Sequence, residues 1–371
     1  MKTLLKWAGG KGRELKFILP KIPSFINNYY EPFFGGGAVY FSLDRVNNHC
    51  YVNDASEELI NFYQSIKQQN ATFFQHLNLL NSNWNWITEF FVDYEDQIIL
   101  MYNLFYNDSK TETEIKEFIN AASLKLSSKL VKNENRRSVL EMEINKSLLN
   151  KFKRTKSLEI KKGRLPTKDL QKIFLSAIKS AYYTYVRELY NYPGELVVCK
   201  QEYNAIFLFI RMYCYSGMFR YNASGKFNVP YGGIGYNNNT IAKKIDYYSS
   251  LSLVKKFKET SFENLDFEQF LSSKQLSSDD FIFLDPPYDT EFSTYAQNEF
   301  GRNDQIRLAN YLINDVKAKW MLVIKSTDFI MSLYKNKNLN ISAVDKKYNV
   351  SFMDRNIRDV THLIIRNYHD Y

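Results

Sequence analysis

Apolar residues along the middle of the chain recur at helical spacing. Ile98, Ile99, Met101, Tyr102 and Phe105 form one such stripe, and Ile115, Phe118, Ile119 and Ala122 form another. Neither glycine nor proline occurs in the 125 residues from Ala38 to Lys162. Strand-rich regions need turns, which usually recruit those two residues, so this stretch reads as mostly helical. A further helix is predicted over Lys168 to Leu189, after a break at Gly163–Pro166.

The two ends of the chain read differently. Cys50-Tyr51-Val52-Asn53-Asp54 predicts a short strand ending in an acid. Phe281 to Leu284, Trp320 to Ile324 and His362 to Ile365 are short apolar runs suited to buried strands, with helical spacing from Asp304 to Val316 between two of them. A glycine turn, Glu31-Pro32-Phe33-Phe34-Gly35-Gly36-Gly37, leads into the helical pattern of Ala38, Val39, Phe41 and Leu43. Short strands alternating with helices argue for an α/β sheet covered on both faces. The sheet falls in the two chain ends, with the helical material inserted between them. No internal repeat or low-complexity tract interrupts this order.

Composition adds class limits. The chain has 371 residues, 45% hydrophobic and 24% charged, the balance of a soluble globular protein. No apolar run approaches the length of a membrane span. The start, Met1 to Trp7, lacks the pattern of a secretory signal. Cys50, Cys199 and Cys214 have neither metal-type spacing nor an even number for a disulfide set, so no metal is expected. A cytoplasmic protein with reduced thiols is the expectation.

The net charge of +9 is concentrated. Lys129 to Lys172 holds 14 Lys/Arg and 5 Asp/Glu, leaving 35 of each sign elsewhere. One basic block on a neutral body suits a surface facing a polyanion such as nucleic acid. A solvated basic helix or an acidic protein partner would give the same pattern.

Three constellations carry chemistry. The glycine turn is followed by Asp54, 17 residues after Gly37. Glycine turn, helix, strand and acid is how a doubly wound fold holds an adenosine, the acid reaching the ribose hydroxyls. Asp285-Pro286-Pro287-Tyr288 follows an apolar strand, at the carboxyl end where open α/β sheets bind ligands. Its acid and the Pro286 carbonyl can accept N–H bonds from an exocyclic amine, drawing the nitrogen toward a nucleophilic form, while Tyr288 stacks on the base. Finally, Lys6-Trp7-Ala8-Gly9-Gly10-Lys11 places a lysine beside glycines. Gly12 follows Lys11, so the phosphate-loop spacing and its hydroxyl residue are absent. A lysine so placed can pair with a carboxylate.

Together these motifs resemble the Dam-like (α-group) DNA adenine-N6 methyltransferases. Two further segments strengthen the likeness: Arg220 to Gly232 is similar to the DNA-contacting hairpin of that family, and Asp266-Phe267 to its cofactor-adenine strand end. The resemblance covers roughly residues 1–65 and 205–371.

It implies a Rossmann-like S-adenosylmethionine-dependent sheet, residues 1–65 and 262–371, with a target-recognition domain inserted over 66–261. That domain would contain the helical basic insertion (about 75–200) and the hairpin (about 216–236). S-adenosyl-L-methionine would be held by Trp7, Ala8, Gly10, Lys11, Glu31, Phe33, Phe34, Gly35, Gly37, Asp54, Phe267 and Asp285, and released as S-adenosyl-L-homocysteine. Lys11 would sit near its carboxylate. Asp285, Pro286 and Tyr288 would act on an adenine flipped out of duplex DNA. Arg220, Tyr221, Asn222 and Lys226 would face DNA, with Lys151, Lys153, Arg154 and Lys156 tracking phosphates.

The family setting implies a monomeric restriction-modification or orphan methylase, in the first case with a cognate endonuclease as partner. A cytosine-N4 methyltransferase, an RNA methyltransferase and a catalytically silent DNA-binding protein on the same scaffold are the alternatives. Asp285 favours adenine over cytosine, whose enzymes more often carry serine there.

Overall fold

The computed structural model describes residues 1–7, 9–288, 300–347 and 359–369. The chain divides into two compact units, Met1–Gln68 with Tyr248–Tyr371, and Gln69–Tyr247.

The first unit holds the strands β1 (Tyr29–Glu31), β2 (Cys50–Asn53), β3 (Thr260–Glu263), β4 (Phe281–Leu284), β5 (Lys319–Lys325), β6 (Asn340–Lys347) and β7 (Asp359–Arg366). Among the described residues these seven form one sheet in the order β3-β2-β1-β4-β5-β7-β6. Strands β1 to β5 run parallel, and β7 lies antiparallel between β5 and β6. The predicted mixed α/β sheet is therefore present. Three of its strands, β1, β3 and β6, carried no separate strand signal in the sequence.

Before the second unit come α1 (Leu15–Ile18), α2 (Ala38–Ser42) and α3 (Glu57–Lys67). The second unit contains α4 (Ala71–Tyr106), α5 (Glu112–Leu130), α6 (Glu134–Lys162), α7 (Thr167–Asn191) and α8 (Lys200–Tyr213), and α9 (Ala242–Tyr248) ends the middle segment. The chain returns to the first unit with α10 (Leu251–Lys258), α11 (Phe267–Ser272), α12 (Arg302–Asn314) and α13 (Asp328–Tyr334).

Every residue of β4 is buried, as its unbroken Phe-Ile-Phe-Leu run requires in a parallel sheet covered on both faces. Ile282 and Leu284 share one core with Trp320, Leu322 and Ile365, closed over by Phe270, Leu308, Leu312 and Tyr334. Their neighbours Phe281 and Phe283, pointing the other way by the two-residue period of a strand, are equally buried. Each such side chain contributes about 1.5–3 kcal/mol by leaving water.

The second unit shows how a stretch without glycine or proline still turns. Asn70 and Asn133 cap α4 and α6 through their side-chain oxygens, and Thr111 with Glu114 closes a capping box on α5. A cap of this kind is worth about 1 kcal/mol. Gln69 and Asp108 adopt the left-handed conformation at the helix junctions (φ 47° and 56°). The aromatic residues of this unit form its core: Trp84 meets Tyr182, Phe209 and Tyr213, and Phe152 meets Tyr102 and Phe174. No helix among the described residues is long and apolar enough to cross a membrane.

Candidate active site

Strands β1 and β4 are adjacent and parallel. From β1 the sheet continues outward to β2 and β3, and from β4 to β5 in the opposite direction. The strand order reverses here, and the crevice beyond the carboxyl ends of two such strands is where open α/β sheets bind ligands. The glycine turn leaves β1 at Pro32 and the Asp285 motif leaves β4, so both open onto this crevice.

The turn is held by β2 and the loop after β3. Phe34 N–H donates to the Asn53 carbonyl at 2.9 Å. The buried Asn53 side chain donates to the carbonyls of Pro32 (3.1 Å) and Leu265 (3.0 Å) and accepts from Leu265 N–H (2.8 Å). One amide thus ties together three strand ends, a role its place in the sequence motif did not disclose. Asp54, just past β2, accepts from Gly35 N–H at 2.7 Å and from Ser56 N–H at 2.9 Å.

Two glycines of the turn are required by space as well as by conformation. Gly37 has φ 65°, and a Cβ there would lie 2.6 Å from the Phe34 ring. Gly35 has φ 48°, and its Cβ would meet Trp7 Cδ1 at 2.8 Å. The Trp7 indole is therefore packed directly onto the turn. Phe34 is 2% exposed, enclosed by Tyr40, Tyr63 and Phe262, and belongs to the aromatic core behind the turn.

Phe33 is half-buried against Phe267 (5.7 Å between centroids) and Phe300 (5.3 Å). Asp266 and Phe267 do not end a strand as the resemblance implied. Strand β3 stops at Glu263, and Asp266 caps α11 by accepting from Glu268 N–H at 3.0 Å. Arg307 pairs with Asp266 and lies 4.5 Å above the Phe267 ring.

Lys11, 3% exposed, donates to both carboxylate oxygens of Asp285 and to the Gly9 carbonyl at 3.0 Å. The carboxylate expected opposite Lys11 was that of an amino-acid ligand; here it is Asp285. The Tyr288 ring lies edge-on to His362 (5.3 Å) and 5.2 Å from the Lys11 ammonium. Pro286 is buried, and the Pro287 carbonyl accepts from the fully buried Gln305 at 2.9 Å, which anchors the motif to α12. Gln305 carried no signal in the sequence.

Of the remaining expected residues, Glu31 ends β1 at the crevice and feels the charges of Asp285 and Asp54. Glu31 is 2% exposed and accepts from Tyr29 O–H at 2.7 Å; burial pushes its carboxyl well above the usual range. Gly10 closes the N-terminal turn onto the Trp7 carbonyl at 3.3 Å. Ala8 lies outside the described residues.

The expected DNA-facing residues lie in the second unit. In place of a regular hairpin over 216–236 there are two isolated bridges, Cys214 with Tyr231 and Tyr221 with Phe227. Between the latter pair, Asn222 accepts from Ser224 N–H and Lys226 N–H, closing an exposed tip. Arg220 is exposed and donates to Asn228 at 3.2 Å. Tyr221 is packed on Phe219 and Phe227, its hydroxyl 2.8 Å from that of Tyr190. Lys226 reaches the Asn191 carbonyl at 2.5 Å.

All four lysine and arginine candidates of the basic block lie on α6. Lys153 pairs with Glu112 at 2.8 Å and Lys156 with Asp108 at 2.5 Å. Lys151 is half-buried and Arg154 exposed. Elsewhere in this unit His76, Cys199 and Glu202 bring one ligand atom each within 4.8 Å of one another, a grouping that cysteine spacing did not reveal. Arg136 holds both Glu202 oxygens, and its charge opposes a divalent cation there.

The chain matches one family of known proteins over nearly its whole length. The sequence model of the D12 class N6 adenine-specific DNA methyltransferases matches residues 7–350. The type II methyltransferase M.CviBI of Paramecium bursaria Chlorella virus NC1A is 26% identical over 99% of this chain and 100% of its own length. The type II methyltransferase M.MjaIII of Methanocaldococcus jannaschii is 26% identical over 99% of each chain. The retron Ec67 DNA adenine methylase of Escherichia coli is 30% identical over 54% of this chain and 66% of its own.

Proposed function

Because the chain belongs to the D12 class of N6 adenine-specific DNA methyltransferases, we propose that its methyl donor is S-adenosylmethionine and that donor and target adenine meet in the β1/β4 crevice. The observation that carries this reading is the convergence of the glycine turn, Lys11 and Asp285 at the point where the strand order reverses.

The residues suit that donor. Asp54 stands at the end of β2, where a carboxylate can accept from ribose hydroxyls. Half-buried Phe33, backed by the buried Phe267, offers an aromatic face to a purine. The glycine turn carries no side chains of its own, and the Trp7 indole packed on it would form part of the pocket wall. When bound, S-adenosylmethionine supplies a methyl group on a positively charged sulfur and leaves as the neutral thioether S-adenosylhomocysteine.

The chain's own part is to position and to polarise. A carboxylate oxygen of Asp285 and the Pro286 carbonyl accept the two N6 hydrogens of the flipped adenine. Those bonds draw the lone pair out of conjugation and stabilise the positive charge that grows on N6 as the C–N bond forms. N6 then passes one proton to the Asp285 carboxylate that holds it, and from there to solvent, leaving the neutral methylamine. Tyr288 covers the face of the base, and Gln305 keeps the motif from shifting. Lys11 must yield part of its hold on Asp285 for the amine to enter.

The second unit supplies the hold on duplex DNA through Arg220 to Gly232 and through α6. M.CviBI and M.MjaIII both bear the name type II methyltransferase. By analogy this chain acts in the cytoplasm as a monomeric modification enzyme, with a restriction endonuclease of the same specificity as its counterpart.

The test is transfer of label from S-adenosylmethionine to unmethylated genomic DNA, followed by digestion to nucleosides. Label in N6-methyladenine that disappears with Asp285→Asn supports the reading. Measurable cofactor binding with no label in DNA overturns it.

A further inference from the structure

Helix α7 ends at Asn191, and this residue is joined to the DNA-facing segment by three bonds. Its side-chain nitrogen donates to the Phe227 carbonyl at 3.0 Å, and its side-chain oxygen accepts from Phe227 N–H at 2.8 Å. Its own carbonyl accepts from Lys226 at 2.5 Å. Asn191 is 9% exposed and Phe227 1%, so water does not substitute for these bonds. The amide does for Phe227 what a neighbouring strand would do, satisfying its N–H and C=O together.

The rest of the α7 face continues the same attachment. Tyr190 places its hydroxyl 2.8 Å from that of Tyr221, and Tyr183 donates to the Val229 carbonyl at 2.9 Å. The exposed tip, by contrast, is closed on itself. Asn222 N–H donates to the Lys226 carbonyl at 2.8 Å, Gly225 N–H donates to the Asn222 carbonyl at 2.9 Å, and the Asn222 side chain accepts twice more. A tip that is internally closed moves as a unit, and its pose is set where its stem is fastened. That place is the Tyr221–Phe227 bridge, held by Tyr190 and Asn191.

We propose that Asn191, buried beneath the segment, is a specificity-determining positioning residue: its paired bonds to Phe227 set the pose from which Arg220 and the 222–225 tip read the bases beside the target adenine. The inference rests on the reading of residues 220–232 as facing DNA. Base-edge contacts tolerate little displacement, whereas phosphate contacts from flexible basic side chains tolerate more. A loosened stem therefore lowers discrimination between sequences before it lowers binding to DNA in general.

The test uses the full-length enzyme. The recognised sequence is mapped on unmethylated genomic DNA, and single-turnover rates are then compared on that site and on duplexes with one flanking base changed. Asn191→Asp keeps the size and the acceptor for Phe227 N–H but sets an oxygen against the Phe227 carbonyl. It is expected to reduce the ratio of cognate to altered-site rates about tenfold, with S-adenosylhomocysteine affinity unchanged. Lower global stability alone would slow both substrates alike and leave the ratio intact. If the Asp variant melts early, Asn191→Ser, too short to reach Phe227, carries the same measurement.

Arg220→Ala is run in parallel. An unchanged ratio in a folded Asn191 variant, with Arg220→Ala altering DNA affinity or the recognised sequence, overturns the role of Asn191 alone. If Arg220→Ala changes neither, the DNA-facing reading of the segment falls and the inference falls with it.

Discussion

Lys11 and Asp285, 274 residues apart in the chain, form an ion pair in which the ammonium is 3% exposed and meets both carboxylate oxygens. The N-terminal glycine turn and the loop after β4 thereby share one charge balance. Removing either partner alone leaves a buried charge uncompensated, so stability and chemistry are entangled in any single deletion at this pair.

Asp285→Asn keeps the shape of the side chain and one acceptor while removing its charge. The amide oxygen still accepts from Lys11, while the negative charge that supports the developing charge on N6 is gone. Methyl transfer should fall by roughly 10²-fold or more, and the melting temperature should fall by less than in the alanine variant, because the buried Lys11 ammonium keeps an acceptor but loses its counter-charge. Asp285→Ala should lose activity as well and also destabilise the fold by up to about 3 kcal/mol. Rapid-quench methylation assays beside thermal denaturation make the comparison. An Asn variant with wild-type single-turnover rate would remove Asp285 from the chemistry.

Legibility in the sequence followed the range of the interaction concerned. Strands β4 and β5 were plain because each is an unbroken apolar run, and the helical middle because 125 residues lack both glycine and proline. Strand β1 has only three residues, and β6 reads Asn-Ile-Ser-Ala-Val-Asp-Lys-Lys, an edge strand with too little apolar content to announce itself. The motifs Gly35 to Gly37 and Asp285 to Tyr288 stood out because their chemistry is local. Asn53, Asn191 and Gln305 did not, because each acts through a bond to backbone distant in sequence. The basic block was visible as composition, but its pairing with Glu112 and Asp108 depends on how α5 and the turn before it meet α6.

Gly37→Ala tests the packing of the turn. Alanine is strained at φ 65°, and its Cβ would sit 2.6 Å from the ring of Phe34, which is too enclosed to withdraw. A loss of roughly 2–4 kcal/mol is expected from strain and overpacking together. Adding Phe34→Leu removes the clashing ring atoms and should recover about 1 kcal/mol relative to additivity. Denaturant unfolding of the four proteins reads the coupling; strictly additive losses would mean that the ring is not the obstacle.

Lys179 should imprint a pH dependence on stability. The ammonium lies on α7, 2% exposed, donates to the Asn237 carbonyl and sits 4.6 Å from the Trp84 ring; burial pushes its pKa down to about 8. An unfolded lysine keeps its proton to about pH 10. Between those values the unfolded chain binds more protons, so this group makes stability rise with pH; below 8 its cost is constant. Burial pushes the Cys214 thiol up to about 11, which acts in the opposite sense above the ordinary thiol range. The difference between wild type and Lys179→Met isolates the lysine. It should have a slope approaching about 1 kcal/mol per pH unit between roughly pH 8 and 10, and a flat difference would show that Lys179 stays protonated throughout.

The basic helix α6 gives the sharpest electrostatic test. Each phosphate neutralised contributes about 0.9 to the slope of log affinity against log salt. Were all four of Lys151, Lys153, Arg154 and Lys156 engaged with DNA, their removal would flatten that slope by about 3.6. Lys153 and Lys156, however, are already matched by Glu112 and Asp108, and Lys156 also donates to the Phe105 carbonyl at 2.8 Å. Turning either lysine to a phosphate would take it from its acid and leave that carboxylate facing the duplex. Lys151→Gln with Arg154→Gln should therefore flatten the slope by about 1.8, and Lys153→Gln with Lys156→Gln by less than about 1. Fluorescence anisotropy on one duplex across a salt series distinguishes the pairs. Equal effects would mean that the acids swing away when DNA binds. No change in either pair would assign the excess charge of α6 to solvent, leaving the 220–232 segment to hold the duplex.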